Sequence, residues 1–271
     1  MKKRSSGKRR ELSGRHIFAV LIAVFVLVGG YAGYRLIITE VEYNAAQNEY
    51  KQLRVFAPEL VKPQSPAAGD NNTDSHEPDS EPDPDEDTAY IEPILDPALT
   101  EINRDFIGWI RIDGTDIDYP VVQGIDNITY LSTTFTRERN PSGTIFMDSE
   151  NKTGFNSFAV LHGHNMRDGS MFAGLHNFRD DDFRSEFNEV TIFSQENGIL
   201  QYKIFAVKLT DIYDAVFNLP VQGQSEIEAY FSGFGFSAED LRDNTDILVL
   251  ATCTRGAKSE RLLVLAAHAR N

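Results

Sequence analysis

Asp246 to His268 reads D-I-L-V-L-A-T-C-T-R-G-A-K-S-E-R-L-L-V-L-A-A-H. Two apolar runs, Ile247 to Thr252 and Leu262 to Ala267, flank a short polar segment containing Gly256, the pattern of two buried strands joined as a hairpin. If the hairpin is symmetric about Ala257, Cys253 lies opposite Arg261, with both side chains on one face of the sheet. Cys253 is the only cysteine of the chain. It closes the first run where Arg261 opens the second. A lone thiol at the end of a buried strand beside a fixed cation is a candidate nucleophile, because the thiolate is the reactive form and a nearby positive charge favours it. The competing reading is that Cys253 is a small buried hydrophobe of the core.

Upstream of the hairpin the pattern stays β-rich. Phe106 to Ile112 (F-I-G-W-I-R-I) reads as a strand that turns at Asp113 and Gly114 into a second, Ile117 to Gln123. Asn127 to Leu131 and Gly143 to Asp148 follow, then Ser157 to His162 as another buried strand, and Thr191 to Phe193 and Gln201 to Leu209 continue the series. Helix is expected at Asp96 to Arg104 and at Ser225 to Phe234, the latter in the connection before the Cys253 strand. Short strands at regular spacing with Gly and Pro turns predict a mainly β barrel or sandwich of about 180 residues.

The 271 residues leave room for one large domain or two small ones. Residues 1–16 hold seven basic side chains and one acid, which leaves 19 basic and 40 acidic groups of the chain's 26 and 41 for the remainder. An acidic body argues against nucleic acid as a partner, since phosphate rewards clusters of Lys and Arg. Ile17 to Tyr34 contains no charged residue, and residues 17–38 are long enough to span a bilayer if Arg35 snorkels. The run exceeds a signal-peptide core and lacks the small-residue cleavage pattern, so it predicts an uncleaved transmembrane helix. The basic residues before it, residues 1–16, put the amino end in the cytoplasm and the rest outside. Residues 39–90 read as a helix, Thr39 to Phe56, followed by an acidic Pro-rich spacer too polar to fold alone. Residues 91–271 form the globular domain. One cysteine cannot make an internal disulfide, so that domain depends on its core.

A thiol also needs a base. His16 and His76 lie in the tails, leaving His162, His164, His176 and His268. His164 stands in L-H-G-H-N-M just after a strand that ends at His162, where Gly163 would let the chain turn and expose the imidazole, the setting of a base on a scaffolded loop. His162 and His164 also spell H-x-H, but with no second cysteine and no carboxylate at ligand spacing no metal is expected. His176 and His268 read as ordinary fold histidines.

G-W-I-R-I-D-G-T-D-I-D-Y-P-V-V-Q-G at Gly108 to Gly124, N-x-x-Y-L at Asn127 to Leu131, G-H-N-M-R-D-G-S-M-F at Gly163 to Phe172, the L-A-T-C strand end, and Glu260 with Arg261 resemble in order and spacing the class B sortases, cysteine transpeptidases of Gram-positive cell surfaces. The resemblance implies an eight-stranded β-barrel with flanking helices, catalysis by His164, Cys253 and Arg261, and substrate contacts at Asn127, Leu131 and Thr252. It also points to the 210–236 connection as part of the substrate groove. It implies surface proteins with a C-terminal sorting signal as substrates, cleavage at a threonine, a peptidoglycan cross-bridge amine as acceptor, the lipid bilayer as anchor, and no cofactor. Val249 stands at the first position of the family pattern T-L-x-T-C and Ala251 at the variable one, where serine is often found, and His162 stands where a tyrosine is common. The same trio would serve a cysteine peptidase that hydrolyses its thioester or a sortase that polymerises pilins. A surface binding module with Cys253 in its core is the non-enzymatic alternative.

Overall fold

The computed structural model describes residues 14–58, 95–152 and 154–269. The acidic spacer and most of the basic tail fall outside these residues, as does the expected start of the globular domain at Ile91. The chain divides after Ala45 into two compact units.

The first unit holds most of helix α1 (Gly14–Leu53). The expected helix beyond Thr39 continues the apolar stretch without a break, and a 3-10 turn, Arg54–Phe56, ends it before Pro58. This helix is long and apolar enough to cross a membrane, and Phe25, Leu27 and Leu36 on it are exposed.

In the second unit the last turns of α1 bury Ala46, Tyr50 and Leu53. The Tyr50 hydroxyl donates to the Gly143 carbonyl at 2.6 Å, and its ring meets Tyr119 edge-on.

Eight strands close into a barrel: β1 (Phe106–Ile112), β2 (Asp118–Val122), β3 (Ile145–Met147), β4 (Phe158–His162), β5 (Glu189–Ser194), β6 (Gly198–Asp211), β7 (Thr245–Cys253) and β8 (Glu260–Ala269). Their order around the barrel is β1, β2, β3, β4, β7, β8, β6, β5. The β2–β3 and β4–β7 pairs are parallel and the rest antiparallel. The hairpin register is the one expected from symmetry about Ala257, Cys253 facing Arg261 and the pairing running unbroken to Thr245 and Ala269.

The unbroken apolar runs of β4, β7 and β8 arise because both faces of these strands are covered. Val160, Val249, Leu263 and Leu265 pack under Val216, Leu219, Ile227 and Phe231, which come from a 3-10 segment, Ala215–Val221, and a helix, Gln224–Ser232, in the β6–β7 connection. Leu248, Leu250, Leu262 and Val264 alternate with them and are fully buried on the opposite face.

Helix α2 (Pro97–Ile102) lies within the expected span, capped by Asp96 accepting from the Ala98 N–H. Helix α4 (Gln224–Ser232) starts one residue before the expected Ser225 and ends two before Phe234. Between β4 and β5 the chain adds a 3-10 segment, Phe172–Arg179, and helix α3 (Asp181–Glu186), neither of which the sequence reading anticipated. The first buries Phe172, Leu175 and Phe178 at three-residue spacing, the period of a 3-10 helix and not the 3.6 of an α-helix. The second is six residues long, too short to display a 3.6-residue period, but Asp180 caps it by accepting from the Phe183 N–H. Asn127 to Leu131 ends in a 3-10 turn, Thr129–Leu131, and pairs with no strand.

Candidate active site

The carboxyl ends of β4 and β7 lie side by side, because their parallel register pairs His162 with Ala251. The Gly163 N–H donates to the Ala251 carbonyl at 3.2 Å, and the Thr252 hydroxyl returns a bond to the Gly163 carbonyl at 2.8 Å. The segment carrying His164 is therefore stitched to the segment carrying Cys253. Gly163 has no room for a side chain: a Cβ there would lie 2.6 Å from the ring of Phe172. That buried ring is itself held by its own N–H, which donates to the His164 carbonyl at 2.9 Å.

Cys253, half-buried, is the last residue of β7. The Thr254 N–H reaches the Glu260 carbonyl, so Cys253 and Arg261 form the next, non-hydrogen-bonded pair, in which side chains of opposite strands come closest. One guanidinium nitrogen of Arg261, Nη1, donates to the carbonyls of Lys258 and Glu260 at 2.9 Å each. Among the described residues no carboxylate lies within ion-pairing distance of Arg261. Its other donors, Nε and Nη2, are left for a ligand.

The imidazole of His164 is placed by a third segment. Its Nε2 lies 2.7 Å from the carbonyl oxygen of Leu131, which can only accept, so Nε2 carries hydrogen. The Leu131 turn is held in its turn by Tyr130, whose buried hydroxyl donates to Asp105 at 2.7 Å, and by the Thr144 N–H on the Tyr130 carbonyl. Gly143, at φ +59°, lets the chain approach that carbonyl closely.

His164, Cys253 and Arg261 line one cavity of about 310 Å³, together with Asn127, Leu131 and Thr252. All six residues singled out from the sequence thus meet at one mouth of the barrel, though not in one manner. Leu131 offers an exposed apolar side chain. The Thr252 hydroxyl is spent on Gly163, and both ends of the Asn127 amide are engaged, Nδ2 donating to Asp148 at 2.9 Å and Oδ1 accepting from the Ser149 N–H at 2.8 Å. Phe146, Ile212 and Phe217 supply apolar wall, the last two from the 210–236 connection.

The two histidines of H-x-H diverge, His162 to Asp148 at 3.0 Å and His164 to Leu131. Among the described residues no group of three or more His, Cys, Asp or Glu side chains could hold a metal ion.

Sequence reasoning passed over the back of the nucleophile. The Cys253 carbonyl accepts from Asn165 Nδ2 at 3.0 Å and lies 3.1 Å from His176 Nε2. Both residues line a larger polar cleft of about 790 Å³, with Thr254 and Glu260, the chain neighbours of Cys253 and Arg261. Asn165 stood inside the quoted G-H-N-M run, but nothing in that run announces a contact to a peptide 88 residues away. His268 behaves as a fold histidine, its Nδ1 at 2.8 Å from the Gln201 carbonyl and its ring against Tyr202.

A closed eight-stranded barrel with a thiol, an imidazole and a guanidinium at one strand end is matched by known proteins. Residues 110–269 match the sortase domain family. The chain belongs to the sortase family, and its relatives are of class B. It is 35% identical over 168 residues to sortase B of Listeria monocytogenes, an alignment that spans 57% of this chain and 65% of that protein. Among solved structures, a mutant form of Clostridium perfringens sortase B matches with TM-score 0.57 and 30% identity, covering 63% of this chain and 84% of that one. A Staphylococcus aureus sortase B–substrate complex matches with TM-score 0.55 and 25% identity, covering 64% of this chain and 83% of that one.

Proposed function

We propose that this protein is a membrane-anchored cysteine transpeptidase. In this reading it cleaves the C-terminal sorting signal of surface proteins at a threonine, holds the acyl group as a thioester on Cys253, and passes it to an amine of the peptidoglycan cross-bridge. The observation that carries the reading is that Cys253, His164 and Arg261, from three separate segments, open onto one cavity. That a neighbouring structure is a sortase B–substrate complex supports a substrate-binding role for this domain.

The chemistry follows from the donors and acceptors. Cys253 attacks the threonine carbonyl as a thiolate, forming a carbon–sulfur bond while the carbonyl electrons move onto oxygen. Nε and Nη2 of Arg261 face the developing negative charge or fix the substrate backbone. His164 enters as imidazolium. With Nε2–H committed to Leu131, Nδ1 delivers the proton to the leaving amine as the carbon–nitrogen bond breaks. The acceptor amine then attacks the thioester carbonyl, Nδ1 takes the proton it sheds, and Cys253 leaves as thiolate.

Helix α1 provides the anchor in this account, through residues 17–38, with the basic residues 1–16 in the cytoplasm and the domain from 91 to 271 outside. Residues 39–90 give it reach from the bilayer surface.

The test uses the full chain in detergent micelles, a peptide bearing a threonine-containing signal, and triglycine as amine. Product joined to triglycine supports transfer. Hydrolysis indifferent to added amine supports a peptidase instead. Absence of any thioester on Cys253, with the thiol labelling only on unfolding, refutes both and leaves a binding module.

A further inference from the structure

Strand β4 ends at His162, but the ladder it shares with β7 runs further. In a parallel ladder the donors of one strand step by two along the acceptors of the next. The Gly163 N–H donates to the Ala251 carbonyl, so the following rung would run from the N–H of residue 165 to the carbonyl of Cys253. The backbone of Asn165 has by then turned away to bridge Met171. Its side chain fills the rung instead, Nδ2 donating to the Cys253 carbonyl at 3.0 Å. A carbonyl only accepts, so the carboxamide is oriented with Nδ2 toward Cys253.

The direction of that carbonyl follows from the hairpin. Cys253 and Arg261 are a non-hydrogen-bonded pair, so the Cys253 carbonyl points away from β8, toward the side that β4 has left. His176 completes the contact. It stands on the 3-10 segment Phe172–Arg179, which buried Phe172, Leu175 and Phe178 hold in place. Its Nε2 lies 3.1 Å from the Cys253 oxygen and 3.0 Å from Asn165 Nδ2. Either tautomer closes this triangle: with hydrogen on Nε2 the ring is a second donor to the carbonyl, and without it Nε2 accepts the second amide N–H.

We propose that Asn165 is a positioning residue of the catalytic centre, its carboxamide standing in for a missing backbone N–H and holding Cys253 in register with His164, its own neighbour in the chain. The inference rests on the transpeptidase reading above. His164 is fixed elsewhere, its imidazole by the Leu131 carbonyl and its own carbonyl by the Phe172 N–H. Past Gly163 the Asn165 amide ties the end of β7 to that segment. Acyl transfer tolerates little displacement of the reacting atoms, a shift of about 1 Å costing on the order of 100-fold. The carboxamide lines the polar cleft, whereas the trio lines the smaller cavity, so its loss reaches the reaction through the placement of Cys253 and leaves the seat of the peptide as it was.

The experiment uses the full chain in detergent micelles, labelled with ¹³C at the cysteine carbonyl, which gives one labelled site because the chain has one cysteine. Two variants are compared with wild type: Asn165→Ala, and Asn165→Asp, which keeps the volume and cannot donate at neutral pH. In both, the carbonyl resonance is expected upfield of wild type, the mark of a carbonyl that has lost a donor. Single-turnover acylation is then followed with a threonine-containing peptide and no amine. The saturating rate is expected to fall about tenfold, the worth of one net hydrogen bond, while the half-saturating peptide concentration stays within about twofold.

Variants that acylate at the wild-type saturating rate overturn the proposal. So do variants whose rate falls only in proportion to the folded fraction read by circular dichroism, which is what a merely structural role would give, and so does a carbonyl resonance that does not move. The transpeptidase reading survives each of these results. A wild-type protein that forms no thioester on Cys253 overturns that reading, and the proposal with it.

Discussion

His164 Nε2 lies 2.7 Å from the Leu131 carbonyl oxygen, so the loop after β4 and the turn after β2 together decide which imidazole nitrogen can exchange a proton. Neutral His164 is expected as the Nε2–H tautomer. Nitrogen NMR of the ¹⁵N-histidine-labelled protein, assigned with His164→Gln, checks this. A neutral Nδ1–H tautomer would remove the proton path proposed here.

Arg261→Lys keeps the charge and loses the planar fork. One guanidinium nitrogen already serves the carbonyls of Lys258 and Glu260, and an ammonium cannot hold those two and still reach the substrate in the same geometry. The rate of thioester formation should drop about 100-fold, the lower end for losing an oxyanion donor. Near-normal turnover would refute the assigned role. Cys253→Ala should abolish the thioester while leaving the melting temperature close to wild type, because the thiol is half-buried at a strand end.

Gly163→Ala is expected to cost about 1–3 kcal/mol by overpacking, since the new methyl meets the Phe172 ring. The displaced loop also carries His164, so kcat should fall together with denaturation midpoint. Urea unfolding alongside single-turnover acylation separates the two effects. An unchanged midpoint would show that the ring moves freely.

Asp214 ties the β6–β7 connection to the barrel, accepting from Lys208 at 2.7 Å, Thr210 at 2.5 Å, Tyr230 at 2.9 Å and the Val216 N–H at 3.0 Å. Burial alone would raise its pKa, but these donors outweigh it and hold the carboxyl at about 2. A carboxylate with a depressed folded pKa contributes stability that is present above the unfolded value of about 3.9 and is lost as pH falls through the folded one. Between pH 4 and about 2 the connection should loosen, seen as faster hydrogen exchange over residues 215–232. In Asp214→Asn that exchange should already be fast at neutral pH and vary less with acid.

What could be read from the sequence was set by range. The hairpin register was legible because one symmetric turn between two apolar runs fixes every pair from Cys253 and Arg261 outward. The choice of His164 was legible because a glycine beside it marks a strand leaving the sheet. The clustering of Leu131 and Asn127 with Cys253 came only from family likeness, since their approach depends on two parallel crossovers that no local pattern encodes. His162 was visible but mute: its partners are a carboxylate fourteen residues away, just past the end of β3, and rings from β3 and the β6–β7 connection. Six-residue α3 was too short to show a period, and the 3-10 segment before it spaces its buried residues by three, outside the helical 3.6 pattern that marks an α-helix.

The side-by-side pairing of β4 with β7 carries a consequence for the life of the molecule before it matures. A chain still extended, whether leaving a ribosome or threaded through a narrow passage, bears an ordinary thiol and an ordinary imidazole with no fixed distance between them. Competence arrives only when the last neighbours zip, so this protein is chemically quiet until its architecture is complete.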